Sequence, residues 1–194
     1  MKDEDDEMIV AVIRHAKVDM KWKPFMTPVE YDKGCADYDA APVLPVTVNL
    51  PPIEFRKIYV STLPRTTATA RQVVGERKFH ATSLINEVAE RSGFDSELKL
   101  PVLVWSVVSR IQWFANMRRQ PETRTQTRRR AEKFARHLIR QNEDCVVFTH
   151  GFFMVTLMQE LKKRGFRLDH ERLFYANGEV VICKRSIHDQ NSDF

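Results

Sequence analysis

"MIVAVIRHA", Met8–Ala16, is the stretch on which the reading of the chain turns. Six apolar residues, Met8–Ile13, four of them β-branched, have the length and chemistry of a strand buried on both faces. They run without a break into Arg14 and His15, two residues that are costly to bury unpaired. In an open α/β sheet, ligands bind beyond the carboxyl ends of the parallel strands. Arg14 and His15 therefore mark a candidate site at the end of a buried strand.

Three other segments share the apolar, β-branched pattern: "KIYVS" (Lys57–Ser61), "CVVFTH" (Cys145–His150) and "GEVVICKR" (Gly178–Arg185). "FHATSLI" (Phe79–Ile85) is a weaker fifth. Helical patterns lie between them. Arg65–Glu76 follows Pro64, a helix-start signal. Thr127–Gln141 puts Ala131, Phe134, Ala135, Leu138 and Ile139 on one face. Phe152–Gly165 is apolar, then basic, and closes on glycine. The alternation predicts a three-layer α/β/α sandwich with a mostly parallel sheet, and Gly178–Arg185 is expected as an antiparallel edge strand. With no repeat, low-complexity tract or linker, a single domain over residues 1–194 is expected, with two excursions. Residues 19–52 hold six of the nine prolines and read as a path over the surface. Residues 98–124 are apolar and aromatic, with helical character.

Composition narrows the function classes. The 194 residues are 43% hydrophobic and 29% charged, as in a soluble globular protein. The net charge of +5 favours anionic partners without choosing among them. Much of the excess lies in Arg118–Arg130. Arginines from Arg124 to Arg140 lack the interleaved aromatics that single-strand stacking wants, so a solvated helix face is expected there and nucleic acid is not an expected partner. Cys35, Cys145 and Cys183 have no metal-type spacing; free thiols in a reducing compartment are expected, with no metal and no cofactor. The acidic opening "MKDEDDE" reads as no signal peptide. The longest apolar stretch, Leu100–Val108, is far short of the ~20 residues of a spanning helix, so a cytoplasmic protein is expected. His80, His137, His170 and His188 lack partners in sequence and read as surface or helix residues.

The strand ends together carry a chemistry. Strand one delivers Arg14 and His15; strand two delivers Ser61, expected to hold the turn, and then Arg65. The fifth segment runs into Asn86, Glu87 and Glu90, and "VVFTH" delivers His150 ahead of Gly151. Two guanidiniums can hold a phosphoryl group through forked, charge-assisted hydrogen bonds. A neutral imidazole can attack phosphorus, a second can stabilise the equatorial oxygens, and a carboxyl group can protonate the leaving oxygen. Arginine and histidine supply the positive charge, so no metal is required.

The order of these motifs resembles the histidine phosphatase superfamily, the phosphoglycerate mutase-like family. It is carried by "RHA" (Arg14–Ala16), "STLPRTTATA" (Ser61–Ala70), "LINE" (Leu84–Glu87) and "VVFTHG" (Val146–Gly151), and "YANGEVVICKR" is similar to the family's last strand. The resemblance is poor over 19–52 and 98–124. It implies a phosphoglycerate mutase-like fold and a metal-independent phosphomonoester phosphatase working through a phosphohistidine on His15. It further implies Arg14 and Arg65 as phosphoryl ligands, His150 as transition-state stabiliser and the Phe152 N–H as an added donor. Glu87 fits the general acid, with Glu90 as second choice. The continuation "RHAKVDMKW" lacks the family's usual asparagine and the mutase-type sequence, which favours a phosphatase over a mutase. The expected partner is a small phosphorylated substrate. Two alternatives stand: a phosphatase of phosphohistidine in a protein partner, and a non-catalytic phosphate-binding or scaffold protein. Residues 98–124 fit a core helix pair, a lid in which Trp105, Arg110 and Trp113 shape substrate choice, with Arg110 touching substrate, or a dimer or membrane-surface contact.

Overall fold

A computed structural model describes residues 7–187, so Met1–Asp6 of the acidic opening and His188 lie outside the described residues. The strands are β1 (Glu7–Arg14), β2 (Phe25–Met26), β3 (Lys57–Val60), β4 (His80–Ala81), β5 (Leu100–Pro101), β6 (Cys145–Thr149), β7 (Arg167–Leu168) and β8 (Val180–Ser186). The helices are α1 (Pro28–Ala40), α2 (Pro64–Val74), α3 (Val102–Phe114), α4 (Arg124–Gln141) and α5 (Gly151–Lys162). Six strands form one sheet in the order β4-β3-β6-β1-β8-β7; β2 and β5 pair separately. β4, β3, β6 and β1 run parallel to one another, and β8 is antiparallel to β1.

The period of two along each strand divides its side chains between two apolar layers. Val10, Val12, Tyr59 and Val147 pack with Phe134 and Leu138 of α4 and Met154 and Leu157 of α5. Ala11, Ile13, Ile58, Val60, Val146 and Phe148 pack on the opposite face with Ala70 of α2. This is the expected three-layer α/β/α sandwich. The buried face of α4 carries Ala131, Phe134, Ala135 and Leu138, as its helical spacing predicts.

Three segments differ in detail from expectation. The fifth strand shrinks to the two residues of β4, because Thr82 accepts the Leu84 N–H and turns the chain into a short 3-10 helix, Ser83–Ile85. β8 is antiparallel but lies one place inside the sheet margin, with β7 outside it. Residues 19–52 contain α1, which lacks an apolar stripe but is started by strong local signals. Thr27 accepts the Glu30 N–H, Glu30 accepts the Thr27 N–H, and Pro28 occupies the first helical position. No described helix is long and apolar enough to cross a membrane.

Candidate active site

Register brings the strand ends level. Arg14 pairs with Thr149 between β1 and β6, Val60 with Phe148 between β3 and β6, and the His15 N–H extends the ladder to the Thr149 carbonyl at 2.9 Å. His15, Ser61 and His150 therefore leave three adjacent strands at one edge. The two imidazole rings lie 5.0 Å apart, centroid to centroid.

Hydrogen bonds assign the ring atoms. His15 Nδ1 lies 2.7 Å from the Ala16 carbonyl oxygen, an acceptor only, so Nδ1 carries the proton and Nε2 keeps its lone pair. The Ala16 N–H is held by Thr69 Oγ1, and Asn177 donates to the His15 carbonyl. Arg65 Nε donates toward both His15 Nε2, at 3.3 Å, and His150 Nδ1, at 3.1 Å. His150 Nε2 then donates to Ser61 Oγ at 2.8 Å. Burial, reinforced by the Arg65 charge, pulls the His15 pKa down to about 3. Burial likewise drives His150 well below its ordinary value, again helped by Arg65. Both rings are neutral near pH 7.

Both arginines are held by neighbouring groups. Arg65 is buried at the start of α2; its Nη1 donates to Asp39 Oδ1 at 2.7 Å, and its guanidinium lies over the Tyr38 ring. Arg14 donates to the Tyr175 carbonyl and lies over Phe174, while its Nε is buried without a partner. Gly151 makes room for it: a Cβ there would stand 2.7 Å from Arg14 Nε.

Glu87 sits at the start of α5. Its carboxylate accepts the N–H groups of Phe152 at 3.2 Å, Phe153 at 2.9 Å and Val88 at 2.9 Å. The Phe152 N–H, expected to face phosphate, is thus directed at Glu87. Arg130 holds this segment by donating to the Leu84 and Asn86 carbonyls while paired with Glu122. Glu90 is bonded to the Tyr31 hydroxyl and ion-paired with Arg110. Arg110 also donates to the Val88 carbonyl and stacks on Phe152 at 3.8 Å.

A cavity of about 730 Å³ opens over these groups, lined by Arg14, Arg65, Glu87, Glu90, Arg110 and Phe152 among others. Of the three readings of residues 98–124, a lid formed by Trp105 and Trp113 over this cavity does not hold, and the two tryptophans follow the core reading. Both are buried, their indole N–H groups satisfied by the Met26 carbonyl and Thr127 Oγ1, and neither lines the cavity. From α3, Val102, Ser106 and Arg110 reach it. Among the described residues no three His, Cys, Asp or Glu side chains gather as a metal site. Cys35, Cys145 and Cys183 are free thiols.

The model of the histidine phosphatase superfamily, branch 1, matches residues 46–190. The chain belongs to the histidine phosphatase superfamily. The match covers the segments of Arg65, Glu87 and His150 and begins after His15, whose place follows from β1 and its neighbours. No curated protein matches the chain. Similar solved structures share the superfamily fold. A mycobacterial glucosyl-3-phosphoglycerate phosphatase is 12% identical with a TM-score of 0.57, over 92% of this chain and 90% of that one. The alpha-ribazole phosphatase from Shigella flexneri is 16% identical with a TM-score of 0.55, over 90% and 89%. Phosphoserine phosphatase from Entamoeba histolytica, solved with 3-phosphoglyceric acid, is 15% identical with a TM-score of 0.50, over 90% and 89%. In this superfamily member, sequence reasoning missed Tyr38, Asp39, Thr69, Arg130 and Asn177. "TPVE", a capping box with proline at the first helical position, was the one local signal for α1, which carries Tyr38 and Asp39.

Proposed function

We propose that the protein is a metal-independent phosphomonoester phosphatase that works through a phosphohistidine on His15. The observation that carries this reading is the tautomer of His15. Nδ1 is committed to the Ala16 carbonyl, and Nε2, unprotonated, faces Arg65 and His150. A neutral imidazole so oriented is a nucleophile at ordinary pH.

In the first half-reaction His15 Nε2 attacks phosphorus and the N–P bond forms as the ester P–O bond breaks. The leaving oxygen takes a proton from Glu87. In the second, water attacks the phosphohistidine, gives its proton to Glu87, and the P–N bond breaks to release inorganic phosphate. Arg14 and Arg65 bind the phosphoryl oxygens, and His150 stabilises the charge spread over them in the transition state. Glu87 is favoured over Glu90 as acid because Glu90 is ion-paired with Arg110, which holds it ionised, whereas the contacts of Glu87 are backbone N–H groups, two of them from the start of α5 beside His150. The cavity volume suits a small-molecule substrate, which favours this reading over a protein phosphohistidine phosphatase.

The test is trapping with a labelled generic phosphomonoester, quenched with denaturant at alkaline pH. Wild-type enzyme should give a phosphoenzyme that is acid-labile and alkali-stable, and His15→Ala should give neither phosphoenzyme nor turnover. Normal hydrolysis by His15→Ala would overturn the proposal.

A further inference from the structure

We propose that this site, on the phosphatase reading above, selects esters whose alcohol is flat and either uncharged or positively charged. It rejects alcohols that carry a second anion, and Asp39 is the discriminating residue. The argument rests on which charges in the cavity already have partners.

Three arginines line the cavity. Arg14 and Arg65 belong to the phosphoryl group. Arg110 is paired with Glu90 and packed on Phe152, so its charge is compensated. Four carboxyl groups, Asp32, Asp39, Glu87 and Glu90, line it beside the three arginines. Asp32 is held by Arg91 and by the Ser92 N–H and hydroxyl, and Glu87 by backbone N–H groups. Asp39 differs from them. Its side chain is 46% exposed, and the partner it has is Arg65 Nη1, on the guanidinium a phosphoryl group needs. A bound dianion would share that guanidinium and stand close to the Asp39 carboxylate. A positive group on the alcohol would relieve the repulsion, and a second anion would add to it. Much of the apolar wall is aromatic: the Trp22 ring centroid lies about 6 Å from those of Tyr31 and Tyr38, and Phe152 and Phe174 also line the cavity. Such rings favour a flat partner.

The experiment compares kcat/KM for 4-(aminomethyl)phenyl phosphate and 4-carboxyphenyl phosphate in wild type, Asp39→Asn and Asp39→Lys. Comparing the substrate ratio across enzymes cancels the intrinsic reactivity of the two esters. Wild type should favour the ammonium ester by roughly tenfold or more, as one charge pair near a protein surface allows. Asp39→Asn should bring the ratio toward unity, and Asp39→Lys should reverse it. A ratio that neither variant moves, or a wild-type preference for the carboxylate ester, overturns the inference and leaves the phosphatase reading intact. Inhibition of wild type by the two matching phosphonates reads the same preference should the variants fail to fold. Hydrolysis of neither ester, with no phosphoenzyme trapped, removes the phosphatase reading and this inference with it.

Discussion

At Gly151 one methyl group would displace the Arg14 guanidinium, on the proposed function a phosphoryl ligand. The position lies against the Arg14 guanidinium, with space for a hydrogen but not for a Cβ. Gly151→Ala is expected to lower kcat/KM by about 10- to 100-fold, the scale of a misplacement near 1 Å at a reacting centre. Its melting temperature should change little, because alanine suits the first turn of α5 better than glycine does. Steady-state kinetics beside a thermal melt check both parts, and unchanged kinetics would show that Arg14 yields freely. Arg14, His15, Arg65 and His150 were legible in the sequence because strand period and a proline-started helix fix where such residues emerge. Asp39 and Tyr38 were not. They meet Arg65 through α1, whose sequence has end signals but no apolar stripe to say which face turns inward.

At the scale of elements, α4 links stability to the site. Its apolar face was readable from spacing, but the use of its arginines was not. Arg130 reads as part of a solvated basic run, yet its side chain is largely buried, paired with Glu122 and donating to the carbonyls on either side of Ile85. It is a positioning residue for Glu87. Arg130→Gln should lower kcat more than it changes KM, and should cost about 1–3 kcal/mol of stability through the carbonyls left unpaired. Kinetics and denaturant unfolding measure the two effects; a rise in KM at constant kcat would assign Arg130 to ground-state binding instead. α3 shows the limit of reading aromatics as function. Trp105 and Trp113 are core residues whose indole N–H groups happen to find acceptors nearby, which sequence spacing cannot reveal.

For the whole molecule, two buried neutral imidazoles make stability depend on pH. The unfolded chain binds protons at both histidines near their ordinary pKa of 6.5, while the native state holds His15 unprotonated down to about 3 and lowers His150 well below its ordinary value. Falling pH therefore favours unfolding. Stability should be lost from about pH 6.5 downward by up to about 1.4 kcal/mol per pH unit for each imidazole, the loss from His15 ending near pH 3. Urea unfolding between pH 7 and 5 measures this slope, and His15→Gln should reduce it; a flat profile would mean that the rings charge in the native state. The sheet that holds these rings ends on both sides in strands of two residues, β4 and β7. Strands that short give an approaching chain little backbone to pair with, and β7 opens on Arg167, a charged residue. An apolar central sheet, needed to fix the site, is thereby kept from acting as a template for edge-to-edge aggregation.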